Sequence, residues 1–176
     1  MTPLRLVPVV VSLLLVAASV TAAQPARGTT GGPAGTVEFS AGYAGFVDDA
    51  TIDHGLVGIA SRWYLGPRLS IGPEAVYMQG PGGDRDLFLT GNVTWDLFGR
   101  NGRSSRVVPF IVGGAGLMRH RARFGTQTFT STEGAFTAGG GVRAGLNDRI
   151  FVAGDARLGW ELHYRVTGTV GVRFGR

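Results

Sequence analysis

The side chains best suited to chemistry in this chain are its three histidines, since cysteine is absent. Acyl transfer needs a nucleophile, a base within hydrogen-bond reach and an orienting acid. His54 and His120 are expected in loops or at strand ends. His163 lies close to Glu161 in the segment ELHY, but no serine follows it on the same strand. The favoured interpretation is that these imidazoles are not catalytic.

An acidic segment, VDDATIDHG, offers the next candidate site. Asp48, Asp49 and Asp53 could supply the oxygen ligands that calcium prefers, but their spacing matches no helix–loop–helix calcium loop. The glycine-rich runs GGAGL and GGGVRAG lack the strand-to-helix context of a phosphate-binding loop. A solvated acidic loop is therefore favoured, and no metal, cofactor or catalytic residue is predicted.

Basic charge is the third candidate feature. The formal net charge is +5, and all 17 basic side chains are arginine. They are spread along the chain, with one short run at Arg119, Arg121 and Arg123, which flank His120. Nucleic-acid binding requires a clustered basic face with stacking aromatic residues. A nucleic-acid partner is therefore disfavoured.

The elements that position these residues begin after an export signal. MTPLR is a short basic start, and LVPVVVSLLLVAASV is an apolar run of 15 residues, fewer than the roughly 20 of a membrane-spanning helix. TAA then offers small residues for cleavage after Ala23, so 1–23 are predicted to be a signal peptide. Residues 24–35 are too poor in apolar side chains to fold and are predicted to be a flexible leader.

Residues 36–176 form one all-β domain in this interpretation. Apolar and polar side chains alternate with period two, which is typical of strands with two different faces. Each predicted strand is close to the length, about 9–11 residues, that crosses a bilayer at a tilt. The connections alternate between short and longer, apart from a very short one at 161–163. The eight predicted strands are 36–46, 56–65, 68–78, 87–98, 107–118, 135–146, 151–160 and 164–174.

The aromatic residues decide which face points outward. On the apolar face they fall near the strand ends in two rings, an outer one that includes Trp160 and an inner one that includes Trp63 and Trp95. Such girdles flank the aliphatic band of a membrane barrel, whereas a soluble core has no reason to sort aromatic residues by height. The strand 107–118 is apolar on both faces, so the orientation of Phe110 stays open.

The polar face is then predicted to line the lumen. Buried charges must be paired, and planar guanidinium groups suit carboxylates in a tight space. Because the first and last strands must pair to close the barrel, Glu38 and Arg173 are predicted to approach each other. The predicted lumen charges are Glu38, Arg62, Glu74, Asp96, Arg143, Asp155, Arg157 and Arg173, with Glu161 at the outer rim.

In PFIVGGAGL and GGGVRAGLNDRIFVAGDARLGW the chain resembles the small outer-membrane β-barrel proteins, the superfamily that includes the membrane domain of OmpA. The resemblance covers 36–174 and implies an eight-stranded antiparallel up-and-down transmembrane barrel in the outer membrane of a Gram-negative bacterium. Two departures stand out. Gly175 and Arg176 follow Phe174, where these barrels often end in an aromatic residue, and no wall-binding periplasmic domain is expected.

The leading functional hypothesis is a non-enzymatic outer-membrane protein, expected to be a monomer, that supports the envelope or presents loops to a partner. Its expected partners are membrane lipid, the barrel assembly machinery and lipopolysaccharide, whose phosphates Arg119, Arg121 and Arg123 could contact. Three alternatives stay open: a narrow porin, an enzyme that modifies lipid A, and a soluble periplasmic ligand carrier. Deacylases of the resembling fold place a serine close after the histidine, which His163 lacks.

Overall fold

Among the described residues the architecture is all strand apart from one short 3-10 turn at Pro81–Gly83. The computed structural model describes residues 34–47, 51–98, 107–124 and 127–175, so the predicted signal peptide and most of the predicted leader lie outside the described residues. Among the described residues, no helix has the length and apolar character to cross a membrane. The strands are β1 (Gly35–Val47), β2 (Thr51–Tyr64), β3 (Leu69–Gln79), β4 (Arg85–Asp96), β5 (Val107–Phe124), β6 (Gln127–Gly145), β7 (Ile150–Gly159) and β8 (His163–Phe174).

These strands follow one another around a closed antiparallel barrel in the order β1 to β8. The seam is formed by β1 and β8, which pair from Gly35 opposite Phe174 to Phe46 opposite His163. Closure gives each described strand two neighbours within the barrel wall, and only outer extensions such as residues 127–135 of β6 pair on one side. The predicted eight-stranded up-and-down barrel is confirmed.

The strands on the outer side are longer than the sequence predicts. Residues 47–55 and 119–134 are predicted as loops, but β2 begins at Thr51 and β5 and β6 continue to Phe124 and from Gln127. These two predictions are wrong because hairpin pairing continues beyond the apolar band, where water solvates both faces and the period-two signal fades. The fourth outer connection is a three-residue turn, as expected, with positive φ at Glu161 (58°) and Leu162 (40°).

An aliphatic belt covers the outside of the barrel. Leu89 and Val93 of β4 and Leu158 of β7 are exposed by 51%, 51% and 65%. Other large apolar side chains share this outward exposure: Ile71, Ile111, Leu117, Val142, Val166 and Val170. A belt of this extent would be unfavourable in water, and it indicates a surface that contacts lipid.

Aromatic side chains border this belt. On the outer side Phe136 packs against Trp160 with ring centroids 5.5 Å apart, and Tyr43 packs against Tyr164 at 6.2 Å. On the inner side Trp95 is 44% exposed. The two predicted girdles are therefore present on the outward face, at the heights where membrane interfaces favour aromatic rings.

Strand pairing shows which way Phe110 of β5 points. Phe110 lies opposite Asp96 and is buried, whereas its neighbour Ile111 is exposed. Paired residues of adjacent strands point to the same side of a sheet, so Phe110 faces the lumen. Glycine makes room for rings there: a Cβ on Gly171 would lie 2.1 Å from Cζ of Phe151.

Candidate functional site

The lumen is filled by four layers of side chains, and β4 contributes an inward side chain to each layer in turn. From the outer end these are Asp86, Phe88, Asn92 and Asp96, all buried. Asp86 belongs to a histidine–carboxylate cluster at the outer mouth, Phe88 to an apolar plug, Asn92 to a polar network and Asp96 to an arginine–aromatic layer. The chemistry of the barrel is therefore sorted by depth.

In the layer nearest the periplasm, arginines contact carboxylates and aromatic rings. Arg62 forms a 2.8 Å ion pair with Glu38 and donates to the hydroxyl of Thr94 at 3.1 Å. Arg143 forms a 3.2 Å ion pair with Asp96, and its guanidinium carbon lies 5.0 Å from the ring centroid of Phe110. Both arginines are buried, so these contacts replace the water they would otherwise bind.

The predicted pair across the seam is offset. The β1–β8 register sets Gly171 opposite Glu38 and Thr36 opposite Arg173, so the two charged residues are diagonal neighbours. Thr36 donates to Glu38 at 2.8 Å. Arg173 donates to the backbone carbonyl of Asn147 at 3.0 Å and covers the Phe151 ring at 5.0 Å. The layer closes the periplasmic end of the lumen.

The third layer from the mouth is a network centred on Glu74. One oxygen of this carboxylate, Oε2, accepts from Arg157 at 3.0 Å, from Arg165 at 2.8 Å and from the Asn92 amide at 2.9 Å. Arg157 also donates through Nε to Asp155 at 2.7 Å. Two carboxylates and two guanidinium groups therefore neutralise each other while buried, as charges in a low-dielectric interior must.

One correction concerns membership of the lumen set. Arg165 is buried in the network but is missing from the predicted charges, although the period-two pattern places it on the same face as Thr167. Glu161, which is predicted at the outer rim, is exposed in the turn at 160–162 and borders the mouth.

An apolar plug separates the Glu74 network from the mouth. On β3, Val76 and Met78 follow Glu74 toward the outer end, and Phe88 faces them from β4. Phe46 packs against the plug from β1. The remaining buried members are Ala44, Leu56, Met118 and Ala135.

The outer mouth holds a cavity of about 660 Å³. His54, Asp84, Asp86 and His120 converge on it, and Glu133 and Glu161 contribute two more carboxylates. The residues that line the cavity are Phe46, Val47, Ile52, His54, Asp84, Asp86, His120, Ser131, Glu133, Glu161 and Leu162. His54 and His120 are predicted in loops or at strand ends, and they lie in the outer parts of β2 and β5, on the lumen side. Burial and the nearby Glu133 raise the pKa of the Glu161 carboxyl above its ordinary value.

Two arginines of the predicted basic run lie on the outward face of the β4–β5 pair. Arg119 and Arg121 are exposed, while His120 between them turns inward to Asp86. The register brings Arg85 directly opposite Arg121, which sequence analysis did not anticipate because Arg85 lies in another strand. The side chain of Arg123 lies outside the described residues.

The other predicted candidates have structural partners. No serine follows His163 on β8. Its Nδ1 donates to the Trp160 carbonyl at 2.6 Å, and its ring packs 5.1 Å from those of Phe46 and Phe88. Asp53 accepts a hydrogen bond from the Tyr43 hydroxyl. Asp48 and Asp49 lie outside the described residues.

Comparison with solved structures assigns the architecture. Neisserial surface protein A superposes with a TM-score of 0.70 at 12% identity, over 82% of this chain and 100% of that one. The chain has the fold of the small eight-stranded outer-membrane β-barrels. The N-terminal barrel domain of Pseudomonas aeruginosa OprF matches with a TM-score of 0.64 at 11% identity, covering 81% of this chain and 99% of that one.

A third outer-membrane barrel is also similar. Ail, the attachment invasion locus protein of Yersinia pestis, matches with a TM-score of 0.50 at 13% identity, covering 80% of this chain and 97% of that one. No family model and no curated protein sequence matches the chain. The neighbours agree with the predicted outer-membrane location, and the lipid-facing belt with its paired lumen charges rules out the soluble ligand carrier.

Proposed function

We propose that this chain is a non-enzymatic outer-membrane barrel with a closed lumen, and that it binds the phosphate groups of lipopolysaccharide through outward arginines of β4 and β5. The observation that supports this most directly is the pairing of Arg85 with Arg121, with Arg119 two residues away on the same face. All three side chains are exposed.

The height of this arginine row matches the outer headgroup region. Arg119 lies opposite Leu87, which in turn lies opposite Tyr77 of the outer girdle. Arg85 and Arg121 are one step farther out, beyond the hydrocarbon. Lipid phosphates lie at this level, next to the interfacial aromatic residues.

The chemistry of the row favours an anion. Like charges directly opposite each other on paired strands are destabilising, so Arg85 and Arg121 repel unless a negative group lies between them. A guanidinium group binds phosphate through two parallel hydrogen bonds. A lipopolysaccharide phosphate would therefore relieve the repulsion and be recognised at the same time. Arg123 stays a predicted member of the row.

The filled lumen supports the non-conducting part of the proposal. An eight-stranded barrel is just wide enough for side chains to fill its interior. Here the Glu74 network and the apolar plug occupy successive layers across it. A solute path would have to displace Phe88 and then break buried ion pairs.

The test compares two matched double variants. Arg85→Glu with Arg121→Glu reverses the outward pair, and Arg68→Glu with Arg149→Glu reverses two exposed arginines in the periplasmic turns. Lipopolysaccharide binding to the purified, folded barrel should weaken about tenfold in the first variant only, with an effect that salt reduces. Equal binding by wild type and both variants would contradict the proposal. A change in lipid A mass caused by the protein would instead support an enzyme.

A further inference from the structure

Four side chains at the outer mouth meet from separate parts of the chain. His54 comes from β2, Asp84 from the end of the connection after Pro81–Gly83, Asp86 from β4 and His120 from β5. His54 and Asp86 are each 2% exposed. We call this set the mouth cluster.

The donor atoms of the mouth cluster are spaced as in a metal site. Nε2 of His54 lies 3.2 Å from Oδ2 of Asp84 and 3.5 Å from Oδ2 of Asp86. Nδ1 of His120 lies 2.6 Å from Oδ1 of Asp86 and 3.6 Å from Oδ1 of Asp84. Tetrahedral zinc with bonds of about 2.0–2.2 Å holds its ligand atoms roughly 3.3–3.6 Å apart. His54, Asp84 and Asp86 each offer a ligand atom within 4.8 Å of the others, and His120, now 2.6 Å from Asp86, would join them by a shift of its side chain.

The two ring nitrogens of His54 face different groups, a backbone carbonyl and a pair of carboxylates. Its Nδ1 lies 3.1 Å from the backbone carbonyl of Ile52, which can only accept, so Nδ1 carries the proton of the neutral ring. The lone pair of Nε2 then points at the carboxylates of Asp84 and Asp86, two acceptors. A proton, on Nε2 or on one of the carboxyl groups, or a metal ion must therefore lie between them. Orientation of a ligating histidine by a backbone carbonyl is the usual arrangement in metal proteins.

An oxygen atom of Asp84 that faces the same place also lacks a hydrogen bond. Oδ1 of Asp84 is buried and accepts no hydrogen bond from any described residue. Around it, the mouth cavity of about 660 Å³ is bordered by four carboxylates, and its described lining includes no arginine. The cavity is therefore negative, open enough for an ion to enter and short of positive partners.

The geometry points to a binding site for a divalent transition-metal ion of the zinc class, ligated by His54 Nε2, Asp84, Asp86 and His120 Nδ1. Two imidazoles with two carboxylates suit zinc and its neighbours, whereas calcium and magnesium prefer oxygen ligands alone. The ion would join β2, β4, β5 and the 80–84 connection across the mouth. Binding requires no lipopolysaccharide, so the site stands apart from the arginine row.

Gly80 provides a test of position that alters no ligand. Its φ of −97° is allowed for any residue, but a Cβ there would lie 2.4 Å from Nε2 of His54. Gly80→Ala should therefore obstruct the metal position while all four ligating residues remain. Correct folding of each variant can be checked by heat-dependent gel migration.

The experiment is calorimetric titration of the full, folded barrel in detergent with Zn²⁺, Mg²⁺ and Ca²⁺, after dialysis against a chelator. We expect one Zn²⁺ per chain, bound at least about tenfold more tightly than Mg²⁺ or Ca²⁺, and a loss of about tenfold or more in His54→Ala, Asp84→Asn and Gly80→Ala. Glu161→Gln is the matched control, because it removes a carboxylate from the same cavity but not from the ligand set.

Three results would overturn the inference. Absence of Zn²⁺ binding would show that a proton alone satisfies His54. Equal affinity for Zn²⁺ and Mg²⁺ would show only accumulation of cations by negative charge. An equal loss in Asp84→Asn and Glu161→Gln would show that the cavity acts as a whole and not through the four named ligands.

Discussion

Arg165 on β8 donates a 2.8 Å hydrogen bond across the lumen to Glu74 on β3, two strands that are not neighbours in the barrel. The residues are 91 positions apart in the sequence. Their contact joins opposite walls, and Arg157 on β7 and Asn92 on β4 reach the same oxygen. The network is therefore a crosslink inside the barrel and the main polar element that holds its interior together.

Glu74→Ala should be among the most destabilising single substitutions. It leaves Arg157 and Arg165 buried with Asp155 as their remaining carboxylate partner, and breaking a buried pair costs about 3–5 kcal/mol. Urea unfolding followed by tryptophan fluorescence measures the change. The double variant Glu74→Gln with Arg165→Met restores charge balance and should recover part of the loss. A loss below about 1 kcal/mol in Glu74→Ala would contradict the crosslink.

A charged substitution on the aliphatic belt should destabilise the barrel more strongly the deeper it lies in the membrane. Leu89→Arg places a charge within the hydrocarbon and should destabilise the barrel in lipid vesicles by about 2–4 kcal/mol. Leu146→Arg makes the same exchange in the periplasmic turn, where the cost should be about 0–1 kcal/mol. Equal effects of the two would argue against the assigned lipid-facing surface.

The wild-type barrel should give no stepwise conductance in planar lipid bilayers. Phe88 and Met118 close the lumen above the Glu74 network, and a narrow barrel filled by side chains leaves no aqueous path. Phe88→Ala tests the plug alone and should stay silent, because the ion pairs of Glu74 persist below it. Regular conductance steps from the wild-type protein would favour the narrow porin.

The outer turn should make stability depend on pH through Glu161. Burial and the nearby Glu133 raise the pKa of its carboxyl above 4.5, against the weaker opposing effect of His120. The folded state therefore holds the proton more tightly than the unfolded state, and this contribution is present at low pH and lost as pH rises through the raised pKa. With a chelator present, Glu161→Gln should flatten the decline in unfolding free energy that begins as pH rises above the ordinary pKa of a glutamate, about 4.3. Glu133→Gln should act in the same direction, and an unchanged slope in both would refute this origin.

Period-two alternation determined most of the fold and the facing of most residues. In 151–160 it places Asp155 and Arg157 in the lumen and Leu158 in lipid, because adjacent side chains of a strand point to opposite faces. The signal requires two chemically different environments. It therefore fails beyond the apolar band, where β5 and β6 continue as a hairpin with water on both sides, and within 107–118, where both faces are apolar.

Tertiary structure alone decided which residues meet. Phe110 faces inward because it pairs with Asp96, and strand pairing is a long-range choice that one strand cannot encode. Glu74 contacts Arg157 and Arg165, and His54 contacts Asp86, because the stagger of the closed barrel brings these side chains to the same height. Alternation along a strand is local and can be read from neighbouring residues, whereas contacts across a lumen depend on closure, which all eight strands determine together.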